Sequence, residues 1–250
     1  MLRTFVITCL LIIAVSCDTD QDPVDKEIAD LNVPFLPEKV LFIGNSHTNY
    51  NEGIDFHLRE FLKATSLPFT PIVEKITMDG YTMEQHSEDD NTLSKISEKE
   101  WDIIVFQENT YRAAYEALDA KVGMQNLRFK IKNPNTKVLL FMTWAYEDSP
   151  NMINAIKATY EETAQLTNAI VIPVGIAFRD VPNDPDNNID LYNEDGIHPS
   201  LEGTFLATAM FYARIYEKDP IENSYTANLT KENADYLKQA AKTVLKDYPN

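Results

Sequence analysis

The sequence predicts an α/β fold in which a parallel sheet carries helices on both faces. Three observations predict it. Short apolar runs alternate along the chain with stretches of helical spacing. The runs are apolar throughout, as strands buried on both faces are. The chain has 250 residues, 44% of them apolar, which suits one such domain and its core. In these sheets the working groups gather at the C-terminal ends of the strands, so the ends of the apolar runs are where chemistry is sought.

The N-terminus reads differently from the body. Arg3 precedes an apolar stretch, Phe5 to Val15, that is too short to span a bilayer comfortably. Ala14-Val15-Ser16-Cys17 follows and resembles a bacterial lipoprotein signal. That resemblance implies a signal peptide over 1–16 and lipidation of Cys17. It also implies export and a lipid anchor in the bacterial outer membrane, on its periplasmic or cell-surface face. Asp18, Asp20, Asp22 and Asp25 resemble an outer-surface sorting tether. Residues 17–37 read as a linker, with Pro23, Pro34 and Pro37. One folded domain is expected over 38–250. Both cysteines, Cys9 and Cys17, precede it, so the body has neither a disulfide nor a thiol nucleophile.

The first strand is expected at 39–43. Its apolar run, Val40 to Ile43, stops at Gly44, and Ile54, Leu58, Phe61 and Leu62 then recur at helical spacing, giving a helix at 52–65. Ser46 therefore lies in a strand-to-helix turn. There it either caps the helix or attacks a carbonyl beside outward-pointing backbone N–H groups. A second strand, 69–77, is broken by Pro71 and so belongs near a sheet edge. After it comes an isolated Gly80. Residues 87–100 are expected to be helical and exposed. A third strand, 101–106, ends in Gln107-Glu108-Asn109-Thr110, and a helix at 112–131 follows. A fourth strand, 137–143, ends at Trp144. Then come a helix at 150–166, a fifth strand at 169–174, a polar loop at 180–196, and helices at 201–217 and 231–246.

The formal charge of −17 excludes nucleic acid as a natural partner. A serine nucleophile needs a base, and the chain has four histidines, His47, His57, His86 and His198. His47 adjoins Ser46, and neighbours in a turn rarely face each other. His57 reads as a helix-surface residue. His86 lies beyond Gly80, as a structural group or a substrate contact. His198 belongs to Asp195-Gly196-Ile197-His198-Pro199-Ser200, where Asp195 can reach one ring nitrogen and leave the other for a serine. The loop Asp184-x-Asp186-x-Asn188-x-Asp190 alternates oxygen ligands as a calcium loop does. It lacks that loop's glycine and glutamate and reads as solvated; no metal or other cofactor is expected. The Gly-x-Ser-x-Gly signature is absent.

Gly44-Asn45-Ser46, Gly80, Asn109 and Asp195-x-x-His198 together resemble the SGNH/GDSL hydrolase superfamily, over about 160 residues. The resemblance implies a flavodoxin-like three-layer α/β/α sandwich around a parallel sheet of about five strands. It implies a metal-free serine esterase with Ser46 as nucleophile, His198 as base and Asp195 as its orienter. The oxyanion hole would draw on Ser46, Gly80 and Asn109. The third block departs from the family's Gly-x-Asn-Asp, so Gln107 is the alternative amide. Tyr81, His86 and Trp144 are further candidate contacts, and Tyr50, Tyr81 and Trp144 are aromatic groups for a sugar. The expected substrate is a small-molecule or glycan ester, acetyl on a carbohydrate above all. The alternatives are a lipase or thioesterase on longer chains and a non-catalytic glycan-binding lipoprotein. The membrane is a partner only through the lipid anchor, and the oligomeric state is not legible.

Overall fold

The computed structural model describes residues 36–183 and 188–248. The signal peptide, Cys17, most of the tether, and Asp184 and Asp186 of the calcium-like loop lie outside them.

Five strands form one sheet: β1 (Lys39–Gly44), β2 (Ile72–Thr77), β3 (Ile103–Phe106), β4 (Lys137–Phe141) and β5 (Ile170–Ile172). Their order is β2-β1-β3-β4-β5, and every pairing is parallel. The register aligns Ile43 with Ile76 on one side and with Phe106 on the other. The C-terminal ends of β1, β2 and β3 therefore lie together. Val40 to Ile43 and Ile103 to Phe106 are buried, as the unbroken apolar runs require. Pro71 precedes β2, which is an edge strand.

The helices fall into two packing groups, as a three-layer sandwich demands. In one, α9 (Leu201–Tyr216) packs on α2 (Ile54–Lys63) and α10 (Lys231–Asp247). In the other, α6 (Ala117–Lys130) packs on α3 (Met83–Glu88) and α7 (Met152–Thr167), and α5 (Thr110–Tyr115) packs on α7. The short α1 is Ser46–Asn49, α4 is Asp90–Ser97 and α8 is Val174–Asp180.

Three expectations change. The stretch at 112–131 is two helices, because Glu116 leaves helical geometry at φ −126° and ψ 48°. No glycine or proline marks that break. The fifth strand ends at Ile172, and Pro173 leads into α8, an element the apolar run concealed. There Gly175 permits close approach: a Cβ on it would fall 2.1 Å from the Thr143 carbonyl oxygen. Residues 87–100 are not simply an exposed face, since Thr92 and Ile96 are buried.

Candidate active site

Strand β1 delivers the first group. At its end Gly44 is locked among neighbours: a Cβ would meet Gln107 Oε1 at 2.5 Å and Thr48 Oγ1 at 2.6 Å. Asn45 then caps α1, its Oδ1 accepting from the His47 N–H at 3.1 Å. Ser46 opens that helix.

The second group hangs on the loop before α9. Ser46 Oγ and His198 Nε2 are 2.8 Å apart, and His198 Nδ1 is 2.6 Å from Asp195 Oδ2. Asp195 Oδ1 accepts the backbone N–H groups of Ile197 and His198, both at 2.9 Å. Gly196 turns the chain at φ +64°, a conformation that suits glycine. Burial pulls the Asp195 carboxyl up, but its bonds from His198 and the two N–H groups outweigh that and hold it at about 2. The charge that would stabilise an imidazolium is thus present at neutral pH.

Two aromatic groups fix the loop. Trp144 donates its indole N–H to the Ile197 carbonyl at 3.0 Å and stacks on Phe178 at 4.0 Å. Tyr50 stacks on the His198 ring, with centroids 4.5 Å apart and planes 12° apart.

The third group faces Ser46. Gly80 sits at φ +73°, in a turn closed by the Tyr81 N–H to the Met78 carbonyl at 3.1 Å. Asn109 caps α5 through its Oδ1 and donates Nδ2–H to the Gly80 carbonyl at 3.2 Å. An amide nitrogen carries two hydrogens, so one remains. The backbone N–H groups of Ser46 and Gly80 bond to no described residue. Ser46, Gly80, Asn109 and His198 line one open cleft of about 640 Å³. A separate cavity of about 480 Å³, beside Ile176, Tyr236 and Val244, has no serine, cysteine or histidine among the described residues of its wall.

Several expected contacts lie elsewhere. Gln107 is buried: Oε1 accepts from the Asn45 N–H and the Thr48 hydroxyl, and Nε2 donates one hydrogen to the Glu108 carbonyl. Its amide does not line the cleft, whereas that of Asn109 does. His86 is buried between Thr92 Oγ1 and the Gly44 carbonyl, at 2.8 and 2.9 Å, a structural brace and not a cleft residue. Trp144 is 1% exposed and cannot offer its face to a sugar. Tyr81 packs its ring edge-on against His86, and its carbonyl receives the Asn45 side chain. His57 is also buried and not on the surface, between Tyr225 and the Asn51 carbonyl.

Two residues escaped sequence reasoning. His47 lies buried between the rings of Trp144 and His198. Burial, with His198 nearby, lowers it to about 3, so it remains neutral beside His198. Glu108 is fully buried. Its carboxyl accepts the Asn109 N–H at 2.6 Å and the Met83 N–H at 3.2 Å, joining the residue in the cleft to the start of α3. Burial pushes it up to about 8 against the pull of those N–H groups. Its signal was a charge at the end of a wholly apolar strand. Among the described residues no cluster of His, Cys, Asp and Glu is placed to hold a metal ion.

The comparisons with known proteins concern the fold. A family model described as a domain of unknown function, DUF4886, matches residues 54–244, a span that begins after Ser46. A DUF4886 family protein from Bacteroides uniformis superposes with a TM-score of 0.68 at 18% identity, covering 84% of this chain and 95% of that one. A candidate SGNH hydrolase from Slackia heliotrinireducens gives 0.59 at 21% identity, covering 72% and 98%. An acetylxylan esterase from Geobacillus stearothermophilus, solved as a catalytic mutant, gives 0.54 at 17% identity, covering 72% and 94%. No curated protein matches the chain significantly in sequence. The fold is that of the SGNH hydrolases.

Proposed function

The chain belongs to the DUF4886 family, and from that premise we propose that it is a serine ester hydrolase removing small acyl groups, acetyl above all, from carbohydrates. One observation carries the reading. Ser46, His198 and Asp195 form a continuous relay at 2.8 and 2.6 Å, and the relay opens on a cleft that also holds Gly80 and Asn109.

The chemistry follows from that order of atoms. His198 Nε2 takes the Ser46 proton as Oγ attacks the acyl carbon. The carbonyl oxygen becomes an oxyanion facing the N–H groups of Ser46 and Gly80 and the free Asn109 amide hydrogen. Collapse expels the alcohol, which takes the proton back from His198. Water then gives a proton to His198 and attacks the acyl-enzyme; as the acid leaves, His198 returns that proton to Ser46 Oγ. Asp195 holds the Nδ1–H tautomer throughout and faces the imidazolium.

The cleft wall supports a small acyl group on a polar carrier. Asn45, Asn49, Asn51, Asp79, Tyr50 and Tyr146 contribute to it, and among the described residues Ile197 is its one aliphatic side chain. A long acyl chain would need an apolar trough. Export with a lipid on Cys17 belongs to the same proposal; labelled palmitate should mark the wild type and not Cys17→Ala. The deciding experiment offers p-nitrophenyl acetate and a panel of acetylated glycans to wild type and Ser46→Ala. Turnover by the wild type alone is expected. Glycan binding without turnover of any ester would instead make this a binding lipoprotein.

A further inference from the structure

The helix that starts at the cleft carries two exposed rings that no described contact explains. Asn109 lines the cleft and caps α5. Tyr111 and Tyr115 follow on that helix, one turn apart on one face. They are 52% and 60% exposed, with ring centroids 4.9 Å apart and planes 49° apart. A third ring joins them to the site. Tyr146 is half-buried in the cleft wall. It is held above the ordinary phenol range by burial and then by the neighbouring Tyr115 and Tyr111. The hydroxyls of all three bond to no described residue.

We propose that Tyr111 and Tyr115, reached from the cleft past Tyr146, form a stacking subsite for further rings of a neutral glycan chain whose ester lies at Ser46. The inference rests on the ester-hydrolase reading and deepens it by naming an extended carrier. An exposed tyrosine offers a flat apolar face and a polar rim, which matches the apolar C–H face and hydroxyl edge of a pyranose. The ring spacing is close to the length of one sugar residue, and the tilt between the rings suits a chain that twists along its length. The charge nearby argues for a neutral chain. Arg112, between the two tyrosines in sequence, is bonded to Glu84 at 2.5 Å and has Glu116 and Asp119 at 3.9 Å. Its positive charge is already answered, and those carboxylates repel an anionic polymer or an anionic lipid surface.

The test measures affinity by calorimetry in the Ser46→Ala protein. The probes are neutral oligosaccharides of xylose, glucose, mannose and N-acetylglucosamine, from disaccharide to hexasaccharide. In at least one series the hexasaccharide should bind about tenfold tighter than the disaccharide, the gain expected from a few stacking contacts. The gain should vanish in Tyr111→Ala/Tyr115→Ala and survive in Tyr111→Phe/Tyr115→Phe, because the ring face makes the contact. Both pairs are exposed, and circular dichroism checks their fold. No length dependence in any series, or a gain that survives the alanine pair, overturns the proposal. So does tyrosine-dependent flotation with phosphatidylcholine vesicles in place of sugar binding. Turnover of p-nitrophenyl acetate by the wild type is scored separately. Its failure would remove the esterase reading, while the length dependence would still decide the subsite.

Discussion

The two flanks of the cleft are held in place by different means. On the flank at β3, Gln107 and Glu108 are fully buried and reach across long stretches of chain. Gln107 takes the Asn45 N–H, and Glu108 takes those of Met83 and Asn109. On the other flank, Asp195 is fastened chiefly to its own turn, through the N–H groups of Ile197 and His198, and its side chain is 42% exposed. Under the proposed ester hydrolysis, the difference matches what each flank would do. Oxyanion donors work by being fixed before charge develops, and buried, satisfied polar networks hold their members rigidly. In that proposal His198 exchanges protons with alcohol and water, and it sits where solvent reaches. Substitutions on the turn should therefore cost turnover and spare the fold, whereas those on the buried flank should cost both.

The largest effect tests the point where the flanks meet. Ser46→Ala should lower kcat by roughly 10⁶, as loss of a triad serine does. An organophosphonate adduct located by mass spectrometry should fall on Ser46. An adduct on Ser200, whose Oγ caps α9 by accepting the Gly203 N–H, would break the assignment.

Next is the exposed flank. Asp195→Asn should cut kcat by about 10⁴, the cost of the same exchange in a serine-protease triad, with an unchanged melting temperature. An amide facing Nδ1 favours the wrong tautomer and brings no charge. Wild-type turnover in the folded variant would leave only a Ser46–His198 dyad.

On the buried flank, Asn109→Ala should lower kcat by roughly 10²–10³, the loss of one oxyanion donor. Gln107→Ala orphans the Asn45 N–H and the Thr48 hydroxyl and should destabilise by about 1–3 kcal/mol, read as a lower denaturant midpoint. If Gln107→Ala reduced turnover with no loss of stability, the flanks would not differ as argued.

A test of stability alone concerns Glu108, held at about 8 where an ordinary glutamate titrates at 4.5. Between those values the folded chain keeps a proton that the unfolded chain has released. Stability should therefore fall as pH rises through that window. Glu108→Gln should flatten the slope of melting temperature against pH. An equal slope in wild type and variant would mean that the carboxyl titrates normally.

Legibility in the sequence followed the same division. Ser46, Asp195 and His198 were readable because each sits in a local pattern, an apolar strand closed by glycine or a tight Asp-x-x-His turn. The parallel sheet and its edge strand were readable for the same reason. The amide choice between Gln107 and Asn109 was not, because which one faces the cleft depends on where β1 and the Gly80 turn lie. His57 read as a surface residue and His86 as a structural group or a substrate contact, since a buried histidine is revealed only by partners distant in sequence, Tyr225 and the Gly44 carbonyl among them. Helix α8 was hidden because Ile170-Val171-Ile172 runs on through Pro173 into Val174 with no polar boundary. The break at Glu116 had no sequence marker at all.

The space behind Ser46 is filled by its neighbours. Any side chain at position 44 would occupy the place of Gln107 Oε1, 2.5 Å from where a Cβ would stand. That oxygen in turn receives both the Asn45 N–H and the Thr48 hydroxyl. Positions 44 and 107 are thus not free to drift independently. A lineage that gains a methyl at 44 must make room at both 107 and 48, since Thr48 Oγ1 would lie 2.6 Å from the new Cβ, and one that shortens 107 must find another acceptor for the turn that carries Ser46. The glycine, the glutamine and the threonine form a lock that opens only when its parts change together. An engineer who wants a different third block in this cleft has to begin at the end of β1.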